Sequence, residues 1–593
     1  MADFLTGRAG AMARNISNLV DVLLDRGKLT RSEAIAVALG GAAFALVFCY
    51  ILVTHLTTAG AWGDWDFFLT LQWAAYHSVR YYHQIPQWNP YTCGGNPLIG
   101  NPQSHVLTPW FLFTLLFGPV VGLHLEVIVH SAIAWSGGYV LGRELRMSRL
   151  AAICTATTYA GSSWFFLHEG FGQIVFLALA YLPWLLAAGW AAATETGKLR
   201  YTIAGGALIA LSFFEGGPYP PLFEVLSLAI VLPVLAVMRI SVRPLIVLLL
   251  IGLFTGGFAA IKYVPAREFV AAHPRPTVEG GDYSLQDLSA ALFSRDQDPN
   301  HYGPGPYYFF ESGAYVGLFS VIALVGLLSP RRAILWVIAA TIFFLLARGR
   351  TGPSCAWVWL HHLPVYSSTR VPQRYLIPFS LAIGVLAGIG IDVLCENRSI
   401  VTLGIAIVLI TVGTLDLFLV KTDNLGHALV YAPEAQVFDK YFRQFQVEND
   451  KDMFKTVQRN LGVINCYEAF TFNTTVAASN MPGYRGEYHL QGLGSVSDSR
   501  WSPNALGFEV DAPAATVLVI NQNYDPSWRV TSGAGQAFSQ DGLLAVRVPA
   551  GKSRIILRYI SIAATCGLII TILTAFAAFV LIRWESRRPL RDA

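Results

Sequence analysis

IVTLGIAIVLITVGTLDLFLV, residues 400–420, followed at once by Lys421, is the stretch on which the fold turns. These residues carry one charge, Asp416, and as a helix they are long enough to cross the hydrocarbon of a bilayer. On the C-terminal side the character changes twice: 421–556 has the composition of a soluble segment, and 557–582 is apolar again. On the N-terminal side similar apolar runs recur near 34–55, 121–142, 150–167, 172–193, 201–214, 218–238, 244–263, 314–329, 333–348 and 374–394. A shorter piece, 107–119, lies between Pro109 and Pro119 and reads as a re-entrant or tilted half-helix. Of 593 residues, 54% are hydrophobic and 13% charged, where an ordinary soluble domain carries roughly 25% charged residues. The expectation is a polytopic α-helical membrane protein of about 12 spans with a C-terminal extracytoplasmic β-rich domain.

Charge orients the runs. Basic residues gather in the N-terminal arm (Arg8, Arg14, Arg26, Lys28, Arg31), at Arg143, Arg146 and Arg149, at Lys198 and Arg200, and at Arg239 and Arg243. Others stand at Arg331 and Arg332, at Arg398, and in the tail from Arg583 to Arg591. All fall on one side of the spans, so both termini are expected in the cytoplasm. The chain then divides into a cytoplasmic arm (1–33), a multi-span domain (34–420) with an outer loop at 56–106, an outer domain (421–556), and a last helix with a basic tail (557–593). The arm is too polar for a cleavable signal. A net charge of +4 follows from this topology and points to no nucleic-acid partner. Seven cysteines form no CxxC pair. Cys93 and Cys466 both face outward in this topology, and whether they pair is left open.

The outer domain opens with a charged piece, Pro433 to Leu461, with helical spacing at Val437, Tyr441 and Phe445. Strand-like runs follow at Val517–Ile520, Leu543–Val548 and Ser553–Tyr559, separated by Asn521–Asp525, Ser532–Gly535 and Pro549–Gly551. Such turn-punctuated runs read as a small antiparallel sandwich.

Gly63-Asp64-Trp65-Asp66 places two acids just beyond the first span. Acids at a membrane boundary serve a substrate, an ion or a proton more often than stability. Spaced by one residue, they diverge on a strand and on a helix. One reading makes one of them a catalytic base and the other the cap of a helix beginning near Phe67; the other reading is a cap and a solvated charge. Gln72 lies on that same helix. From Gln84 to Gln103, three Asn-Pro pairs and Gly94-Gly95 dictate a compact, turn-rich loop. Trp88, Asn89, Asn101 and Gln103 mix rings with amides there, which suits a sugar; an interfacial aromatic belt explains the rings but not the amides.

Further outward-facing polar residues are His168, Glu169 and Gln173, Glu215, and Glu311 ahead of the 314 run. Each is a ligand contact or only a loop tip. Arg370 and Arg374 stand at the outer end of 374–394, against the positive-inside trend and four apart. They suit a phosphate clamp, with headgroup snorkelling as the other reading. Asp64, Asp66 and Glu311 are hard oxygen ligands for a divalent cation such as Mg or Mn if they converge. No phosphate-cradling glycine loop is present. A transporter or flippase of a lipid-linked saccharide is the rival reading, opposed by spans whose cores carry almost no acids or bases.

Several of these pieces recur together in one family. They are Gly63-Asp64, Pro86-Gln87-Trp88-Asn89-Pro90-Tyr91, Gly94-Gly95-Asn96-Pro97 and Asn101-Pro102-Gln103-Ser104. Tyr315-Val316-Gly317, Arg370-Val371-Pro372-Gln373-Arg374-Tyr375, the helix end Gly388–Asp392, Tyr524–Arg529 and Val548–Gly551 complete the set. From Trp62 to Tyr559 the chain resembles the YfhO-like bacterial membrane proteins, assigned to the type C glycosyltransferase superfamily. It departs from some relatives at Asp525-Pro526-Ser527-Trp528, where Tyr-Pro-Gly-Trp is commoner. The resemblance implies transfer of a sugar from a polyprenyl-phosphate donor to a cell-envelope glycan or lipid acceptor. The transfer would take place at the outer face of the bacterial cytoplasmic (inner) membrane, with an acid of the first outer loop as catalyst. That role falls on Asp64, with Asp66 second. A single inverting displacement is the expected chemistry, with membrane lipids around the donor.

Overall fold

The computed structural model describes residues 20–58, 63–195, 199–275, 281–298, 309–351, 356–425, 438–449, 452–467, 469–472 and 474–587. Expectations resting on Arg8, Arg14, Trp62, Lys198, Pro433, Val437, Arg588 and Arg591 lie outside the described residues.

Eight helices among the described residues are long and apolar enough to cross a membrane. They are Arg31–Phe48, Pro119–Glu144, Ile174–Thr194, Tyr219–Arg239, Pro330–Ala347, Pro372–Leu394, Ile400–Leu425 and Ile562–Arg587. A ninth follows if Arg243–Phe258 and Ala260–Ala272, bent by 75°, make one span. The other apolar runs fold into shorter or broken pieces. The run at 150–167 becomes Arg149–Gly161 and Ser163–Phe171, parted at Ser162, whose ψ of 149° leaves the helical region. The break is satisfied from across the bundle: Ser163 donates its N–H to the Tyr315 carbonyl, and its hydroxyl oxygen accepts from the Tyr315 N–H. Non-helical backbone at membrane depth needs such partners. The run at 314–329 yields only Phe319–Gly326, entered through Gly317 at a φ of +52°. The last apolar run starts as a strand, Gly551–Tyr559, so its helix begins only at Ile562.

The helix cores are less free of charge than the sequence suggests. Glu126, His130, Glu224, Lys262, Asp392 and Lys421 all stand buried on apolar helices. Single polar residues are diluted in a long apolar run, and packing brings each to a partner. Lys421 pairs with Glu169 at 2.6 Å, Arg332 with Asp392 at 2.6 Å, and the Ser212 hydroxyl donates to Glu224 at 2.7 Å. Buried charge of this kind survives in a bilayer only when paired.

The C-terminal region is β-rich. Two four-stranded antiparallel sheets form it, ordered Ala537–Gln540, Leu543–Val548, Thr516–Asn523, Tyr488–Leu490 and Ser495–Ser502, Ala505–Ala512, Gly551–Tyr559, Trp528–Ser532. Alternating apolar residues fill the space between them, among them Phe508, Ile520, Val546 and Leu557. The charged piece before the sandwich does not carry the helical face of Tyr441 and Phe445. Arg443–Phe445 is a strand, paired in parallel with Leu461–Val463, and the helix there is Met453–Val457. Beta pairing to a distant segment overrides local helical spacing.

Candidate active site

The helix Trp65–Arg80 starts where the chain turns at Gly63 (φ +59°), whose added Cβ would stand 2.2 Å from the Phe171 carbonyl. Only glycine fits so close an approach at positive φ. The turn lets Asp64 donate its N–H to that carbonyl at 2.8 Å. It leaves the Asp64 side chain at the helix N-cap position, yet with no capping hydrogen bond to the helix. The carboxylate points instead into a cavity of about 370 Å³, within the usual size range of small-molecule sites.

Seven segments build that cavity. The first outer loop contributes Asp64 and Gln103, the segment after Ser163–Phe171 contributes Gln173 and Phe176, and Tyr219 comes from the start of its helix. Glu311 rises from the short turn Phe309–Glu311, and Arg370 and Arg374 flank the start of Pro372–Leu394. Arg275 completes the wall, and Tyr467 and Phe470 of the outer domain form a roof. Arg374 grips Glu311 with two hydrogen bonds of 2.6 Å, while the Gln173 amide donates to the same carboxylate at 3.1 Å. The guanidinium lies over the rings of Phe176 (4.6 Å) and Tyr219 (4.4 Å). Such bidentate, stacked placement fixes the arginine's plane. Arg275 also stands over the Tyr219 ring, at 5.2 Å.

The Tyr467 hydroxyl donates to Asp64 at 2.9 Å. Burial raises the Asp64 carboxyl from its ordinary 3.8 to about 6; the Tyr467 hydrogen bond and Arg374 pull it down, and nearby Glu311 pushes it up. A carboxylate poised near neutrality serves as a general base. Among the described residues of the lining, three guanidinium groups face two carboxylates.

Asp66 has a different task. Its carboxylate accepts the Met453 N–H at 3.0 Å and the Phe454 N–H at 3.2 Å. It lies inside the first turn of its own helix and does not cap it; it holds the outer domain down. Asp64, Asp66 and Glu311 therefore do not gather as a ligand set. The described residues whose ligand atoms do gather within 4.8 Å are His105, Glu126 and Glu215.

Of the residues singled out in the sequence, Asp64, Gln103, Gln173, Glu311, Arg370 and Arg374 line the cavity. The rest do not. Trp88 is buried in the core of the sandwich, donating its indole N–H to Gln522 at 2.9 Å, with Trp528 and Tyr559 against it. Asn89 and Asn101 close local turns, accepting the N–H of Tyr91 and of Gln103 at 2.9 Å each. Gln72 is buried within its helix. His168 donates its Nδ1–H to the Trp164 carbonyl, Glu169 pairs with Lys421, and Glu215 joins the cluster with His105. Arg275, Tyr219, Phe176 and Tyr467 were not anticipated. Arg275 alone carried a signal, a basic residue on the outer face against the charge trend, as at Arg370. Cys93 and Cys466 are joined by a disulfide. It ties the first outer loop to the segment that carries Tyr467.

No protein-family model and no curated protein matches the chain. Among solved structures, the arabinofuranosyltransferase AftD from Mycobacteria gives a TM-score of 0.38 at 14% identity, over 68% of this chain and 27% of that one. The oligosaccharyltransferase of Archaeoglobus fulgidus in its apo form gives 0.45 at 11% identity, over 74% of this chain and 65% of that one. The archaeal oligosaccharyltransferase AglB from the same organism, in complex with an inhibitory peptide and a dolichol-phosphate, gives 0.44 at 12% identity, over 73% and 64%. The chain spans just over a quarter of the first protein's length and just under two thirds of the other two.

Proposed function

We propose that this chain is a membrane glycosyltransferase that moves a sugar from a polyprenyl-phosphate donor to a cell-envelope glycan or lipid acceptor. The observation that carries the reading is one cavity in which the half-buried Asp64 carboxylate, near neutrality, stands with three guanidinium groups. The donor phosphate lies against Arg275, Arg370 and Arg374, the latter oriented by Glu311. Asp64 takes the proton from the acceptor hydroxyl, whose oxygen attacks the anomeric carbon. The bond from that carbon to the phosphate oxygen breaks, its electron pair stays on the phosphate, and the anomeric configuration inverts. General base catalysis supplies the nucleophile, and preorganised guanidinium groups stabilise the leaving charge. Gln103 and Gln173 offer amides to sugar hydroxyls.

The Cys93–Cys466 disulfide supports placing the cavity on the oxidising side of a bacterial inner membrane, with both termini in the cytoplasm. The cut into an arm, a multi-span domain, an outer domain at 421–556 and a last helix with its tail belongs to the same proposal. Protein reconstituted in liposomes with a synthetic polyprenyl-phosphate monosaccharide and envelope extract tests it. Wild type is expected to release polyprenyl phosphate, and Asp64→Asn is expected not to. Full-rate release by Asp64→Asn removes the proposed catalyst.

The buried Glu224 and Lys262 on the apolar helices favour a second reading, movement of a lipid-linked saccharide across the bilayer. Donor crossing without release of polyprenyl phosphate selects that reading over transfer.

A further inference from the structure

Behind the cavity wall lies a cluster that sugar transfer does not use. Phe68 lines the cavity and touches the His105 ring, 5.8 Å between centroids; Gln103 lines it two residues earlier. Glu126 and His130, one turn apart on Pro119–Glu144, and Glu215, in the turn before Tyr219, face His105. None of the four side chains is more than 3% exposed.

The hydrogen bonds set a conflict. His130 Nδ1 is 2.8 Å from the Glu126 backbone carbonyl. A carbonyl only accepts, so Nδ1 carries the proton, and a neutral ring aims its Nε2 lone pair outward. That lone pair meets Glu215 Oε1 at 3.5 Å. The same oxygen already accepts the Tyr181 hydroxyl at 3.1 Å, whose own oxygen accepts from Trp110 at 2.7 Å. His105 Nδ1 is 3.1 Å from Glu126 Oε1 and 3.9 Å from Glu215 Oε2. His130 Nε2, Glu126 Oε2 and Glu215 Oε2 have no hydrogen-bond partner among the described residues. Lone pairs therefore face lone pairs, and two carboxylates share one dry space. The nearby Lys262 ammonium lies 2.6–2.9 Å from the Ser104 hydroxyl, the Ser104 carbonyl and the Asn101 carbonyl.

We propose that His105, Glu126 and Glu215 hold one divalent cation of the zinc class, with His130 beside Glu215. Two carboxylates match its charge, and a neutral imidazole with two carboxylate oxygens matches its donor preference. Zinc bonds of about 2.0–2.1 Å in a tetrahedron separate the ligands by about 3.3–3.4 Å, and the 3.1 and 3.9 Å distances from His105 Nδ1 to the two carboxylates bracket that value. All three ligands are buried behind the cavity wall, so the ion holds that wall and does not meet the donor. The ion bolts the stretch from Gln103 to His105 to the Pro119–Glu144 helix and to the 215–217 turn. That turn already presses on Gln103: a Cβ on Gly216 would stand 2.6 Å from its carbonyl. The cation so positions one wall of the cavity, whatever chemistry the cavity performs.

Protein purified through a tag free of histidine, in detergent, is analysed for metals by mass spectrometry. About one zinc per chain is expected. After removal with phenanthroline, cobalt(II) alone is added, and the intense visible bands of a tetrahedral centre are expected. Glu126→Gln and Glu215→Gln should each lower metal content at least about tenfold, while Asp64→Asn retains it. Should either variant fail to fold, the wild-type metal content and cobalt spectrum decide alone. Wild type with neither zinc nor a cobalt band overturns the proposal; the carboxylates then share protons, with His130 charged. Metal retained in both folded variants overturns the ligand assignment. No outcome depends on sugar transfer, so a failed transfer assay leaves this result unaffected.

Discussion

From Gln84 to Asn101 the first outer loop carries five asparagines or glutamines and one tryptophan, and at its two ends stand Asp64 and Gln103. The middle turns inward. Trp88 enters the sandwich core, Asn89 and Asn101 close turns, and Gln84 donates to Ser502 at 2.9 Å. The ends turn toward the cavity, where Asp64 meets Tyr467 from another domain and Gln103 faces the arginines across the lining. Polarity alone separates neither group. What does is whether a side chain's hydrogen-bonding capacity is already met by its own chain: where it is, the residue builds the loop; where it is not, the residue is left to meet a ligand.

Asp64→Asn tests the ends most sharply. Removing a general base lowers kcat by about 10²–10⁴-fold, read as polyprenyl phosphate release. The sign of the stability effect is opposite to that of most core changes. Folding raises this carboxyl from 3.8 to about 6, so the folded state binds the proton more tightly, and the group's contribution to stability falls as pH rises from about 4 to about 6. Asparagine mimics the protonated form, so its melting temperature at pH 7.5 is expected at or above that of wild type. The kcat/KM profile should fall tenfold per pH unit below about 6. A flat profile from pH 5 to 8 would mean that Asp64 is not the base.

Trp88→Ala tests the middle. Loss of a buried tryptophan costs about 3–5 kcal/mol, here borne by the sandwich and its junction with the loop. Limited proteolysis of the outer domain, followed against temperature, reads that loss. Donor KM in the protein that remains folded should change less than about twofold, because Trp88 does not line the cavity. A large rise in KM with an intact outer domain would return Trp88 to the ligand.

Arg275→Ala comes next in size. Hydrogen bonds to a charged group contribute about 1.5–3 kcal/mol, so donor KM should rise roughly tenfold to a hundredfold with little change in melting temperature. Arg374→Ala is not an equivalent probe, since it strands Glu311 and mixes binding with stability.

Why some of this was legible follows from the same distinction. Arg370, Arg374, Glu311 and Asp64 are charges at the outer ends of apolar runs, where the hydropathy pattern gives them no structural reason to stand. These four reach one cavity, together with Gln103 and Gln173. The β-rich C-terminal region was legible through period-two runs between turn residues, as at Leu543–Val548. The partners of Trp88 and of the Gln84 amide were not, because Gln522 and Ser502 lie more than 400 residues away in the chain. Neither was the inward role of Asp66, whose partners are two backbone amides with no sequence signature. Glu126 and Glu224 were lost inside apolar averages that one acid barely moves. About twelve apolar runs against eight or nine long helices reflects a similar blindness: hydropathy does not see Ser162 or Gly317 interrupting a helix.

The smallest expected effect joins the two regions. Asn101 sits in the middle group by its hydrogen bonds, yet its side chain accepts the Gln103 N–H at 2.9 Å, and Gln103 faces the cavity. Asn101→Ala removes one buried turn bond and is expected to cost about 1 kcal/mol in stability. If Asn101 acts on the ligand only through Gln103, donor KM rises about two- to fivefold in Asn101→Ala, and adds nothing further in a Gln103→Ala background. That non-additivity separates positioning from contact: two residues touching the ligand independently would multiply their effects. A full second rise in the double variant would place Asn101 in the cavity and move the boundary between the two regions to the far side of Asn101.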